Sequence, residues 1–226
     1  MSWPENSISG GPPPSPPPPS SRARIAGILG SVLLLGGMSA IGYAIVSQVH
    51  APQPSTSAAG VTSADGKGPS LPRSLPVSID IPSIGVHSRL LDLGLNPDGS
   101  LQVPSLDTQA NEAAWYTSSA TPGEIGSSII EGHVDSYQGP AVFFQLGALH
   151  PGQIINVTLA DGDTAIFRVT GVRKYPKDEF PSQMIYGAAQ YAALRLITCG
   201  GDFDSSTGHY LSSTVVFAAL TSSRHP

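Results

Sequence analysis

Between Pro76 and Leu220 the chain breaks into short runs in which apolar and polar residues alternate, separated by Gly, Pro, Asn and Asp. A period of two sends successive side chains to opposite faces of an extended strand. Such a pattern points to a sheet. VSIDIPSIGV alternates from Val77, and LNPDGSLQV carries a Pro-Asp-Gly turn ahead of another run. The clearest hairpin is IINVTLADGDTAIFRVTGV, where Asp161-Gly162 supplies a tight turn between two alternating strands rich in β-branched residues. SSIIEGHV, LRLITC and STVVFAAL complete the set, and the last two are mostly apolar, as strands covered on both faces are. Only EFPSQMIYGAAQ and a stretch around residues 143–149 read as briefly helical. The spacing predicts a mainly β fold over residues 76–220, a closed or nearly closed barrel with short peripheral helices, and a C-terminal tail at 221–226.

The segments before the barrel differ in composition. Residues 1–21 are dominated by Pro, Ser and Gly and offer too few apolar side chains to offset the entropy of ordering, so a disordered cytoplasmic tail is expected. Arg22 and Arg24 then precede an uncharged apolar run from Ile25 to about Val46. At ~1.5 Å per residue a helix of that length crosses the ~30 Å hydrocarbon layer, and it exceeds the usual apolar region of a cleaved signal peptide. One transmembrane anchor over 22–47 is expected. With both arginines on the N-terminal flank and no further Lys or Arg before Lys67, the N-terminus is cytoplasmic and the barrel is exported. Residues 48–75, rich in Ala, Ser, Gly and Pro, read as a flexible stalk.

A formal net charge of -5 and only 12% charged residues give no basis for nucleic-acid binding. The single cysteine, Cys199, excludes an internal disulfide and multi-cysteine metal sites, and no cofactor is implied. Cys199 ends the apolar run LRLITC and is followed by Gly200-Gly201. Rigid scaffolds present reactive groups at such strand ends, although a free cysteine is often no more than a small buried hydrophobe. A nucleophilic cysteine needs a partner that stabilises its thiolate, because a free thiol is mostly protonated near neutrality. His133, at the end of IIEGH, and His209, in TGHY, are the candidates, and composition does not choose between them. Glu131 and Asp135 flank His133, and a carboxylate two residues on shares the histidine's face of a strand. Asp202 and Asp204, in GGDFD, read as turn residues rather than a calcium site.

LRLITCGG, FDSSTGHY, STVVFA, IIEGHVDS, IDIPSIGV and YPKDEFP together resemble the sortases, most of all the actinobacterial class F group, over residues 77–219. The resemblance implies an eight-stranded barrel that brings His133 and Cys199 together. It implies that Cys199 attacks an LPXTG-like sorting signal between Thr and Gly, forming a thioester, while His133 protonates the leaving amine. An amine of a peptidoglycan precursor, or water, would resolve the thioester. The partners implied are secreted proteins or peptides that carry such a signal. Sortases also carry an arginine, usually on the strand after the cysteine, that supports the oxyanion and the sorting signal. Here Ser205, Leu211 and Ser213 hold no arginine, and the only one after Cys199 is Arg224. Arg195 shares the strand face of residues 197 and 199 but lies ~13 Å along the strand from Cys199. His209 or backbone N–H groups near Gly200 are the other candidate donors. Two rival readings are a non-catalytic sortase-fold binding or assembly module, which the missing arginine would suit, and another cell-wall cysteine enzyme such as an L,D-transpeptidase.

Overall fold

A computed structural model describes residues 50–64 and 68–225. The proline-rich tail and the expected membrane span, 22–47, lie outside the described residues. Among the described residues no helix is long and apolar enough to cross a membrane.

The alternating runs form β1 (Pro76–Ile81), β2 (Val86–Leu93), β3 (Ala113–Tyr116), β4 (Gly126–Glu131), β7 (Ile154–Leu159), β8 (Thr164–Pro176), β9 (Ala192–Asp204) and β10 (His209–Arg224). Two two-residue strands, β5 (Asp135–Ser136) and β6 (Gly139–Pro140), make a separate small hairpin. The eight longer strands close into one barrel in the order β1-β2-β3-β4-β9-β10-β8-β7, with β7 pairing back onto β1. Closure leaves no open edge, which is how an all-β domain avoids presenting unpaired backbone to other chains. Pairing is antiparallel except between β2 and β3 and between β4 and β9. The expected hairpin turn joins β7 to β8, with Gly162 at a φ of 93° and Thr158 opposite Thr164.

Two apolar clusters follow from the alternation. Ile79, Trp115, Ile130, Phe167, Leu194, Leu196 and Val216 fill one. Their alternates on the same strands, Ile129, Ile197, Val215 and Phe217, form the second, packed with Ile185 and Phe180. The segment covering them holds a 3₁₀ turn (Lys177–Glu179) and α1 (Ser182–Tyr186), of which α1 lies inside the stretch read as helical. A 3₁₀ turn at Leu146–Ala148 accounts for the other. β9 and β10 are thus apolar on both faces because both faces are covered.

Two stretches differ from the reading of composition. Residues 51–64 and 68–75, expected as a flexible stalk, pack with the barrel in one compact unit from Ala51 onward. Ala58 is wholly buried in the first cluster, Val61 N–H donates to Thr170 O at 2.9 Å, and the Arg173 guanidinium donates to the carbonyls of Ala59 and Gly60. Hydrogen bonds to β8 and one buried methyl offset the ordering entropy that a Ser/Pro/Gly-rich stretch cannot offset alone. At the other end, β10 continues to Arg224, opposite Thr164, because the first half of β8 offers it partners.

Candidate active site

β4 and β9 are neighbours and parallel, with Glu131 opposite Ile197 and Gly132 N–H donating to Ile197 O at 3.2 Å. His133 stands two residues beyond Glu131, and Cys199 two beyond Ile197. The pairing that ends just before both residues holds the two chains about 4.8 Å apart at that end of the barrel. Neither strand's local sequence encodes that pairing.

The glycine before His133 is dictated by packing. A Cβ there would stand 2.6 Å from Val142 Cγ1 and 2.8 Å from a ring carbon of Phe143, which is fully buried. Phe143 N–H in turn donates to His133 O at 2.9 Å, so the backbone of the histidine is pinned. Its ring Nε2 is 2.6 Å from Pro104 O. A carbonyl only accepts, so Nε2 carries the proton of that bond and Nδ1 is the nitrogen left for proton exchange.

Cys199 pairs with Ser213 of β10 and is half-buried. Its sulfur accepts one hydrogen bond among the described residues, from Lys177 Nζ at 3.6 Å. No hydrogen bond joins it to His133. Two residues on, Gly201 takes a φ of 76°, and a Cβ there would meet the Ser212 side chain at 2.8 Å. The left-handed backbone and the close approach of β10 both select glycine. The Gly201 N–H donates to Gln53 Oε1 at 3.2 Å, so the segment before the barrel reaches the rim of the site.

Asp135 has a different partner from the one its spacing suggests. Its carboxylate accepts from the Tyr210 hydroxyl and ties the chain after His133 to the β9–β10 hairpin. Burial, and then the Asp135 carboxylate, push the Tyr210 phenol upward. Phe203 packs edge-on against Tyr210 at 5.2 Å. Glu131, at the end of β4, is driven up to about 7 by burial, partly countered by the Tyr186 hydroxyl of α1 at 3.4 Å. Its neutral form therefore persists well above the pH at which an ordinary glutamate ionises.

Arg195 is 3% exposed and is turned toward the start of its strand. Its guanidinium donates to Tyr191 Oη at 3.2 Å, Leu194 O at 3.2 Å and Thr62 O at 3.5 Å, and lies 4.8 Å from the centroid of the Phe217 ring. Ile197 stands between it and Cys199 on the same face. Its partners hold it away from the thiol. His209 is exposed at the tip of the β9–β10 hairpin, opposite Asp204 and five strand positions beyond Cys199. The Asp204 carboxylate accepts from Ser206 N–H and from the hydroxyls of Ser206 and Thr207, which hold it below the usual carboxylate range and close the turn. Asp202 is exposed on the same hairpin.

Sequence reasoning missed Lys177 and Tyr210. Each sits inside a quoted motif, YPKDEFP and TGHY, but only the fold brings Lys177 to the Cys199 sulfur and Tyr210 to the Asp135 carboxylate.

A family model described as Sortase domain matches residues 79–221. No curated protein matches the sequence. Among solved structures, sortase A of Listeria monocytogenes is 16% identical over 68% of this chain and 90% of that one, with a TM-score of 0.49. A sortase D5 transpeptidase of Clostridium perfringens is 21% identical over 66% and 79%, with a TM-score of 0.47. A lid mutant of Corynebacterium diphtheriae sortase A is 18% identical over 67% and 73%, with a TM-score of 0.49.

Proposed function

The chain belongs to the sortase family, and on that premise we propose that it is a membrane-tethered, exported cysteine transpeptidase in which Cys199 and His133 do the chemistry. The parallel β4–β9 register, whose last pair of Glu131 with Ile197 falls two residues before His133 and two before Cys199, is the observation that supports this assignment. The Cys199 thiol gives its proton to Nδ1 of His133, and its sulfur attacks the threonine carbonyl of an LPXTG-like sorting signal. As the tetrahedral intermediate collapses, the C–N bond to glycine breaks and His133 gives its proton to the leaving amine. A thioester remains. An amine of a peptidoglycan precursor, or water, attacks it, the C–S bond breaks, and His133 takes the proton from the incoming nucleophile.

The hydrogen bond to Pro104 O suits this role, since it fixes the ring while leaving Nδ1 for proton transfer. We assign Arg195 to structure rather than to the oxyanion, on the strength of its burial and its four contacts. The motifs around Cys199 and Tyr210 favour the class F group within the family. The uncharged run from Ile25 with Arg22 and Arg24 before it supports a single-pass anchor with the N-terminus in the cytoplasm.

The test is cleavage of a peptide library varied around LPXTG by wild type, Cys199→Ala and His133→Ala, with and without an added amine. The reading expects cleavage between Thr and Gly, lost in both variants and partitioned toward a new amide when amine is present. Retained cleavage in Cys199→Ala refutes it. No turnover of any peptide by the wild type favours the non-catalytic binding module.

A further inference from the structure

We infer that Lys177 is a third catalytic group, the cation that faces the sulfur of Cys199 and fills the charge role Arg195 is placed too far away to fill. This rests on Cys199 being the nucleophile. The Nζ of Lys177 is 3.6 Å from Sγ, and no other side chain bonds that sulfur among the described residues. Two arginines of β8 and β9 are held elsewhere. Arg173 is bound to the carbonyls of Ala59 and Gly60, and Arg195 to Tyr191, Leu194 and Thr62.

The position of Lys177 is fixed by the barrel rather than left to a free loop. β8 runs to Pro176, which lies opposite Ser212, and Cys199 lies opposite Ser213 on the other edge of β10. Lys177 is the next residue, the first of a 3₁₀ turn, so its backbone leaves the sheet one step from the strand that pairs with Cys199. From there the four-carbon stem reaches across β10. Attack on a carbonyl starts from anionic sulfur and passes through an oxyanion formed within bonding distance of it. An ammonium at this point faces the negative charge of the attacking sulfur and of the oxyanion that forms beside it.

Lys177 is exposed, so its field is felt through a water-like medium, where a charge pair at this range is worth a factor of about five to ten. The effect must also weaken with salt, because the screening length falls to ~3 Å at 1 M.

Cys199 is the only thiol in the chain, so its alkylation by iodoacetamide, an uncharged probe, reads its reactivity directly and without any substrate. The experiment compares the full-length wild type with Lys177→Met, Lys177→Arg and Lys174→Met at pH 7, in low salt and in 1 M salt, with thermal unfolding as a check on folding. Lys174 is a nearby exposed lysine of β8 and controls for loss of one positive charge. The expected result is a five- to tenfold slower reaction for Lys177→Met in low salt, shrinking to about twofold in 1 M salt, with Lys177→Arg and Lys174→Met within twofold of wild type. Equal rates for Lys177→Met and wild type, or an equal loss in Lys174→Met, overturn the inference. Either failure is distinct from failure of the proposed function, which would show as peptide cleavage surviving in Cys199→Ala.

Discussion

Replacing Glu131 by Gln isolates one consequence of building the site at the end of a buried strand. The carboxyl titrates near 7 in the folded chain against 4.5 for an ordinary glutamate, because burial disfavours its charge. Below pH 4.5 it is neutral in both states, and the folded chain keeps its advantage in full. As pH rises from 4.5 to about 7 the unfolded chain releases the proton while the folded chain still holds it, so stability falls across that window and the contribution is gone above it. A displacement of that size corresponds to at most about 3.5 kcal/mol, at ~1.4 kcal/mol per unit, with solvent access to the half-buried group lowering it. Gln keeps the size and can accept from Tyr186 but cannot titrate. Urea denaturation followed through the fluorescence of Trp115, which is 1% exposed, gives stability at each pH. Taking wild type minus Glu131→Gln cancels the acids held low at Asp98, Glu124 and Asp204, which drive stability the other way. The difference should fall by about 2–3 kcal/mol between pH 4.5 and 7.5 and be flat above that. Parallel curves for the two proteins across this range would refute the burial assigned to Glu131.

Gly132→Ala places a methyl 2.6 Å from Val142, and overpacking of this kind costs about 1–3 kcal/mol, so the unfolding midpoint should drop by roughly 3–10 °C with a fall in activity as His133 shifts. An unchanged midpoint, measured by differential scanning calorimetry, would mean the 132–143 contact is slack. Arg195→Met should keep peptide cleavage within about threefold of wild type, whereas a donor to the oxyanion would cost on the order of a hundredfold or more when removed. Steady-state kinetics on the preferred peptide separates the two.

The barrel was legible where period-two alternation and turn residues are local signals. The hairpin at Asp161-Gly162 and the doubly covered strands around Leu196 and Phe217 are of this kind. The parallel pairings of β2 with β3 and β4 with β9 were not, because they join segments far apart in sequence and depend on which apolar faces fit together rather than on any local period. The approach of the chain before His133 to the chain before Cys199 is a product of such a pairing. Residues 51–64 misled for the opposite reason: their composition is that of a linker, and their order comes from carbonyls captured by Arg173 and from a groove that takes Ala58. Arg195 shows the limit of face assignment. Alternation places it correctly on the side of Cys199, but the direction of a long side chain follows from partners at Tyr191 and Thr62 that no spacing reveals.

The central claim, covalent catalysis at Cys199, is tested most directly by acid-quenching the full-length protein during turnover of its preferred peptide and measuring intact mass and the modified site. A thioester carrying the peptide fragment that ends in threonine, attached at Cys199 and released by hydroxylamine, is the predicted result. Full-rate cleavage with no adduct on Cys199 would contradict it.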